Sequence, residues 1–180
     1  LRVTMKISMN WIKDFTDLPD LDAKEIGEIF TLKTAEVEGV EEVGAYLSKI
    51  VVAEIQSLKK HPEADKLNLV TINYGSNETK EIVCGAPNVK EGLKVPYAPI
   101  GTTLPGNFTL EPKKIRGILS EGMLCSAKEL ELGEGSAGLL ELKDSAPVGQ
   151  KLNEYLNRTA DIVLDVDNKS LTHRPDLWGM

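Results

Sequence analysis

The chain of 180 residues is poor in cysteine, histidine and aromatic side chains, and it contains no long apolar run. Its two cysteines, Cys84 and Cys125, cannot form a disulfide framework, and with only His61 and His173 beside them a four-ligand zinc site lacks its spacing. Both thiols are read as reduced, partly buried side chains. No stretch of roughly 18 apolar residues is present to cross a bilayer, and the start lacks the basic end, apolar core and small-residue cleavage site of a secretory signal. A cytoplasmic protein with no membrane partner is expected. There is no P-loop, and no GxGxxG follows a strand pattern; Gly133-Glu134-Gly135 comes after a helical one. Positive charge is also scarce: 21 Lys and Arg stand against 28 Asp and Glu, a net −7 that argues against a generally basic nucleic-acid coat and against DNA as a partner.

The deficit is unevenly spread. Residues 1–45 carry 5 basic against 10 acidic side chains, residues 46–150 carry 12 against 13, and residues 151–180 carry 4 against 5. The middle of the chain is therefore near neutral. Catalytic chemistry is hard to place there, because His61 and His173 sit in unrelated contexts and Cys125 has no evident base, so neither catalytic residues nor a metal site are expected. His61 is read as a loop-structural residue.

What the chain does have is three clusters marked by glycine, proline and charge, in fixed order: HPEADKL at residues 61–67, CGAPN at 84–88, and KKIRGILSEGMLCSAKEL at 113–130. Short β-type runs separate them. Ile50–Leu58 and Leu67–Tyr74 are rich in β-branched residues, and Glu81–Cys84, Val95–Ile100, Phe108–Ile115 and Gly138–Leu142 are further strand candidates, with a short helix over Ala127–Leu132. His61-Pro62, Gly75-Ser76-Asn77 and Gly85-Ala86-Pro87-Asn88 supply the turns. Such a density of short strands fits an OB-type β-barrel whose rim is formed by the clusters.

The flanks read differently. Met5–Ile7 is β-like, and Ser8 is placed to cap a turn carrying Trp11, Ile12 and Phe15. Asp22 followed by Glu25 is a capping-box pattern opening a helix that ends near Lys33. Glu36–Val43 alternates as a partly exposed strand, and Asp161–Asp167 (DIVLDVD) is a strand that needs a partner from Met5–Ile7 or Glu36–Val43. The expected architecture is thus mostly β within an α+β frame: residues 1–44 and 151–180 form one small discontinuous α+β domain, and an OB-fold barrel of residues 45–150 is inserted between them. Met5 starts a sensible sequence, so residues 1–4 are read as a cloning remnant or alternative start, and the run to Met180 as part of something longer.

Lys59, Lys60, Lys66, Lys113, Lys114 and Arg116 can neutralise phosphates from such a rim, although Glu63, Asp65, Glu111 and Glu121 are interleaved and a plain solvated face fits the same pattern. In SEGMLCSAKEL, Gly122 allows close backbone approach, Ser120 and Ser126 offer hydroxyls, and Met123 offers a soft surface for a base. Ser126 with Glu129 also reads as a helix cap.

HPEADKL, CGAPN and KKIRGILSEGMLCSAKEL together resemble the tRNA-binding OB domain of the bacterial phenylalanyl-tRNA synthetase β subunit, a domain type also found at the end of some methionyl-tRNA synthetases and in free-standing tRNA-binding proteins. MKISMNWIKDF, TAEVEGVEE and LDVDNKSLTHRPDLWG resemble the discontinuous first domain of that β subunit, so the resemblance spans Met5 to Met180. It implies an (αβ)2 heterotetramer that uses ATP and Mg2+ to attach phenylalanine to its tRNA, with activation and editing sites elsewhere and a non-catalytic, tRNA-binding or supporting role here. By position, Asn88, Lys114, Arg116, Ser120, Met123 and Ser126 match the motif residues with which free-standing relatives meet tRNA. His173 departs from the family, where many relatives carry asparagine, and Arg174 and Asp176 are expected to pair. A free-standing dimeric tRNA-binding module and an interaction scaffold without RNA affinity are the competing readings; the flanking domain disfavours the first.

Overall fold

A computed structural model describes residues 5–18, 22–76, 78–134 and 138–167. The expectations for residues 1–4, for Asn77 and Gly135, and for His173, Arg174 and Asp176 lie outside the described residues. In chain order the elements are β1 (Met5–Ser8), α1 (Met9–Lys13), α2 (Ala23–Lys33), β2 (Glu36–Val43), β3 (Val51–His61), β4 (Ala64–Asn73), β5 (Thr79–Cys84), β6 (Lys94–Ala98), β7 (Thr103–Leu104), β8 (Phe108–Thr109), β9 (Lys113–Ile115), β10 (Ile118–Ser120), β11 (Met123–Leu124), α3 (Leu152–Tyr155) and β12 (Asp161–Asp167). Two compact units emerge, one from the chain up to Ala45 together with the chain from Ala160, the other Tyr46–Thr159.

In the first unit β12 is the central strand of an antiparallel sheet ordered β1-β12-β2. A lone strand leaves both rows of backbone groups unpaired; here each row finds a ladder, so both partners foreseen for DIVLDVD are used. The alternation puts Leu164 and Val166 into a core with Ile7, Met9 and Ala35. Helix α2 opens on the foreseen capping box: the Asp22 carboxylate accepts from the Glu25 amide at 2.8 Å, and the Glu25 carboxylate accepts from the Asp22 amide at 3.1 Å. Ser8 likewise caps α1 through the Trp11 amide, at 3.0 Å.

The second unit is mostly β, built on a five-stranded antiparallel sheet ordered β11-β6-β3-β4-β5. Strand β3 is covered on both faces: Val52 points into one apolar cluster, with Ile50, Leu130 and Leu152, while Ala53 and Ile55 point into another with Val70, Ile72, Ile82 and Val95. Strands β3 and β4 form a long hairpin that turns at Pro62-Glu63, so His61-Pro62 does end a strand; within HPEADKL only His61 and Ala64 pair with each other, and Asp65–Leu67 lie in the register shift before the Lys60–Asn68 pair.

Three local expectations are corrected. Phe108–Ile115 is two strands, not one: Leu110 bonds back to Thr102, and Pro112, which has no N–H to donate, interrupts the run. Ala127–Leu132 is a turn rather than a helix, ended at Glu131 with φ of 46°. Gly138–Leu142 joins no strand ladder, because its amides go to separate partners: Leu139 to the Asn88 side chain, Leu140 to the Cys125 carbonyl and Leu142 to the Lys94 carbonyl.

Candidate nucleic-acid interface

The basic part of the third cluster is a hairpin, β9–β10, turning on Arg116-Gly117. Their φ values of 48° and 86° are both positive, the pattern of a type I′ turn, which matches strand twist but asks for a left-handed conformation at two consecutive residues. Glycine adopts it without steric penalty; arginine does not, so the chain holds a strained cation at the hairpin tip. In the ladder Lys114 lies opposite Leu119, and Lys113 opposite Ser120. Directly opposed residues share a face, so Lys114 and Leu119 project together from one side and Ser120 from the other.

His61 joins this hairpin to the first cluster. It is 4% exposed, accepts the Glu63 amide at Nδ1 (3.1 Å), and its Nε2 lies 3.3 Å from the Ile115 carbonyl. An amide can only donate and a carbonyl only accept, which assigns the ring proton to Nε2 and a neutral imidazole to this position. The foreseen structural role is therefore specific: His61 ties the tip of β3–β4 to the tip of β9–β10. Lys59, Lys60, Lys66, Lys113, Lys114 and Arg116 on these two hairpins are all exposed, and among the described residues none makes an ion pair. Of the four interleaved carboxylates, Glu121 is withdrawn from the balance by Lys80, 3.0 Å away. The Lys80 hydrogen bond, aided by the Glu81 amide, holds the Glu121 carboxyl below its usual range, and Glu121 in turn raises the Lys80 ammonium. Six cations and three carboxylates then remain unpaired in these segments.

The second cluster meets the end of the third in a cleft of about 330 Å³ lined by Cys84, Ala86, Pro87, Met123, Ser126 and Leu139. Met123 is half-buried there. Ser126 is engaged with Glu129, its amide and hydroxyl both donating to that carboxylate at 2.7 Å, which is the capping pairing without the helix. Both cysteines are free and buried, and burial raises both thiols.

The six candidate residues thus separate by environment. Lys114 and Arg116 are exposed on one hairpin, and Met123 and Ser126 line the cleft. Asn88 and Ser120 are turned inward. The Asn88 amide donates to the Leu139 carbonyl (3.0 Å) and the Glu141 carboxylate (2.9 Å) and accepts from the Leu139 amide (2.8 Å). Ser120, 5% exposed, accepts from the Val83 amide at 3.2 Å and donates to the Gly122 carbonyl at 3.0 Å. The close approach at Gly122 is to the chain itself: a Cβ there would lie 2.7 Å from the Ala98 carbonyl and overlap the Tyr97 ring. The Lys80–Glu121 pair was missed in the sequence, since its members are 41 positions apart and no local pattern joins them.

Residues 50–151 match the family described as "Putative tRNA binding domain". The phenylalanine–tRNA ligase β subunit of Dechloromonas aromatica is 46% identical over 153 residues, covering 85% of this chain and 19% of that protein. The same subunit from Syntrophus aciditrophicus is 45% identical over 162 residues, 90% of this chain and 20% of the relative. The chain thus spans about a fifth of the length of the curated relatives it matches. Among solved structures, the C-terminal domain of Plasmodium vivax p43 aligns over 58% of this chain and 60% of its own, with 24% identity and a TM-score of 0.43. With more than half of its residues inside the family match, the chain belongs to the tRNA-binding-domain family.

Proposed function

We propose that this chain is the RNA-contacting part of a phenylalanine–tRNA ligase β subunit, and that its second unit is an OB-type barrel of about residues 45–150 inserted into a discontinuous α+β domain. The single observation that carries the reading is the joined pair of hairpins, where His61 ties together two distant parts of the chain that both carry exposed, unpaired cations. Barrel character is supported at the sheet edge, where β5 reaches the third cluster through the Glu121 amide to the Glu81 carbonyl (3.1 Å) and through Ser120 to Val83.

Lys114 and Arg116 are the proposed phosphate contacts, and Met123 with Ser126 the proposed contacts in the cleft. Asn88 and Ser120 serve the same surface by holding its segments in place. Phosphate contacts position an RNA without reading its sequence, which suits a module that recognises backbone shape. The whole enzyme, an (αβ)2 assembly in the cytoplasm, uses ATP and Mg2+ to join phenylalanine to tRNA. No helix of the described residues is long and apolar enough to cross a membrane. Among those residues no three His, Cys, Asp or Glu side chains gather as a metal site, and no step of the ATP chemistry is assigned to them.

Binding of tRNA by the 180-residue chain between 50 and 200 mM salt tests the reading. With Lys114 and Arg116 both changed to Ala, affinity falls and the slope of log K against log salt becomes shallower by about 1.8 if the contacted RNA is duplex. An unchanged affinity and slope would make the surface a protein-interaction scaffold instead.

A further inference from the structure

A second recess, of about 320 Å³, opens beside the basic hairpin, and of the six candidate residues Ser120 alone lines it. Tyr74 and Tyr97 form its aromatic part, with ring centroids 5.4 Å apart and planes tilted by 55°. Pro112 contributes to the wall, and Ile100 and Leu119 form lips that are 39% and 45% exposed. Tyr97 is fixed by donating its hydroxyl to the Glu121 carbonyl at 2.6 Å, and Glu121 is fixed by Lys80. Tyr74, by contrast, is half-buried and bordered by solvent-facing residues of the β4–β5 turn.

Lys80, Ser120 and Glu121 line the recess beside its apolar side chains, and by size it could take a peptide side chain as readily as a flat ring. Charge decides between them. Leu119 is the direct ladder partner of Lys114, so the apolar lip and an unpaired ammonium project from the same face one strand apart. An apolar peptide has no use for that cation, whereas an unpaired nucleotide carries a π-faced base and an anionic phosphate on one short unit.

We infer that the Tyr74–Tyr97–Leu119 recess is a subsite for a single unstacked nucleobase of a bound RNA, whose adjoining phosphate is held by Lys114. Base–aromatic stacking tolerates any base, so the subsite selects for unpaired RNA rather than for sequence. This rests on the reading of the two hairpin tips as an RNA surface and adds to it a preference for flexible, single-stranded segments.

The test compares a 12-nucleotide single-stranded RNA, the same oligonucleotide with abasic positions, and its duplex, each titrated against the 180-residue chain. Tyr74→Leu keeps the recess apolar while removing the stacking face; Leu119→Ala opens the lip. Tyr74→Leu is expected to weaken the intact single strand about ten-fold and the abasic and duplex forms less than about two-fold, with an unchanged salt slope. A 4-thiouridine in the single strand is expected to photo-crosslink to Tyr74 in the native chain. Equal losses on all three RNAs, no loss on any, or a recess that binds a Leu/Phe-rich peptide and leaves the RNA in place would overturn the inference. The controls are the Lys114→Ala and Arg116→Ala variants. If these act while Tyr74→Leu is silent, only the base subsite fails; if these too are silent, the RNA surface itself fails.

Discussion

Replacing Asn88 by alanine separates a structural strap from a ligand contact. The Asn88 amide satisfies both backbone groups of Leu139, a residue only 7% exposed, and adds a bond to the Glu141 carboxylate. A buried polar group left without a partner costs about 1–3 kcal/mol, and the more exposed Glu141 bond adds about 0.5 kcal/mol at most. We therefore expect Asn88→Ala to destabilise the chain by about 3 kcal/mol. At about 4 °C per kcal/mol for a unit of this size, that is roughly 12 °C in the melting temperature. Asn88→Asp is a sharper probe. Its carboxylate still accepts from the Leu139 amide, but it loses both donor bonds and faces Glu141 at close range, so it should be at least as damaging at pH 7 and partly rescued by Glu141→Gln. Denaturant titration and calorimetry give the stability; RNA affinity, measured well below the melting temperature, should change by less than about two-fold. A melting temperature within about 3 °C of the parent, combined with a ten-fold loss of RNA affinity, would refute the strap and make Asn88 a direct contact.

Two further outcomes follow from buried groups. His61→Ala orphans the Ile115 carbonyl and the Glu63 amide and leaves an imidazole-sized void, at a cost of about 2–4 kcal/mol. Faster hydrogen exchange at the two hairpin tips should accompany it, and a loss under 0.5 kcal/mol would sink the hairpin link. Tyr97 bears on alkaline stability. Burial, with help from Tyr74 and Glu121, pushes its hydroxyl from the ordinary 10.0 up to about 12. Below pH 10 both states hold the proton; between pH 10 and 12 only the native state does, so stability falls by about 1.4 kcal/mol per pH unit across that window. Tyr97→Phe should flatten this limb while costing about 1 kcal/mol at neutral pH through the lost bond to Glu121. An identical alkaline limb in the variant would rule out Tyr97 as its source.

Features governed by near neighbours were legible in the sequence. The Asp22–Glu25 box needs residues three positions apart, and the period-two alternation of Asp161–Asp167 needs only the strand itself, so helix α2 and strand β12 were readable without a fold. The same logic failed where a local preference was outbid from afar. Ser126 and Glu129 made their capping contact, but positive φ at Glu131 stopped the helix, and the amides of Gly138–Leu142 were drawn to Asn88, Cys125 and Lys94 instead of a neighbouring strand.

The candidate surface divides along the same line. Which residues are cations, hydroxyls or soft apolar groups was written in the three clusters, but the Arg116-Gly117 turn that puts Lys114 and Arg116 on a hairpin was not read there, since Phe108–Ile115 looked like one strand. Which of them remain free for a ligand was decided only by tertiary structure. Ser120 and Asn88 look from the sequence like Ser126 and Met123, yet packing turns the first two inward, to partners 37 and 51 positions away. Lys80 silences Glu121 across 41 positions, and His61 reaches Ile115 across 54. Sheet pairing creates these encounters. A residue's donors, acceptors and charge belong to its own side chain, but whether they are already satisfied depends on what the fold brings against them.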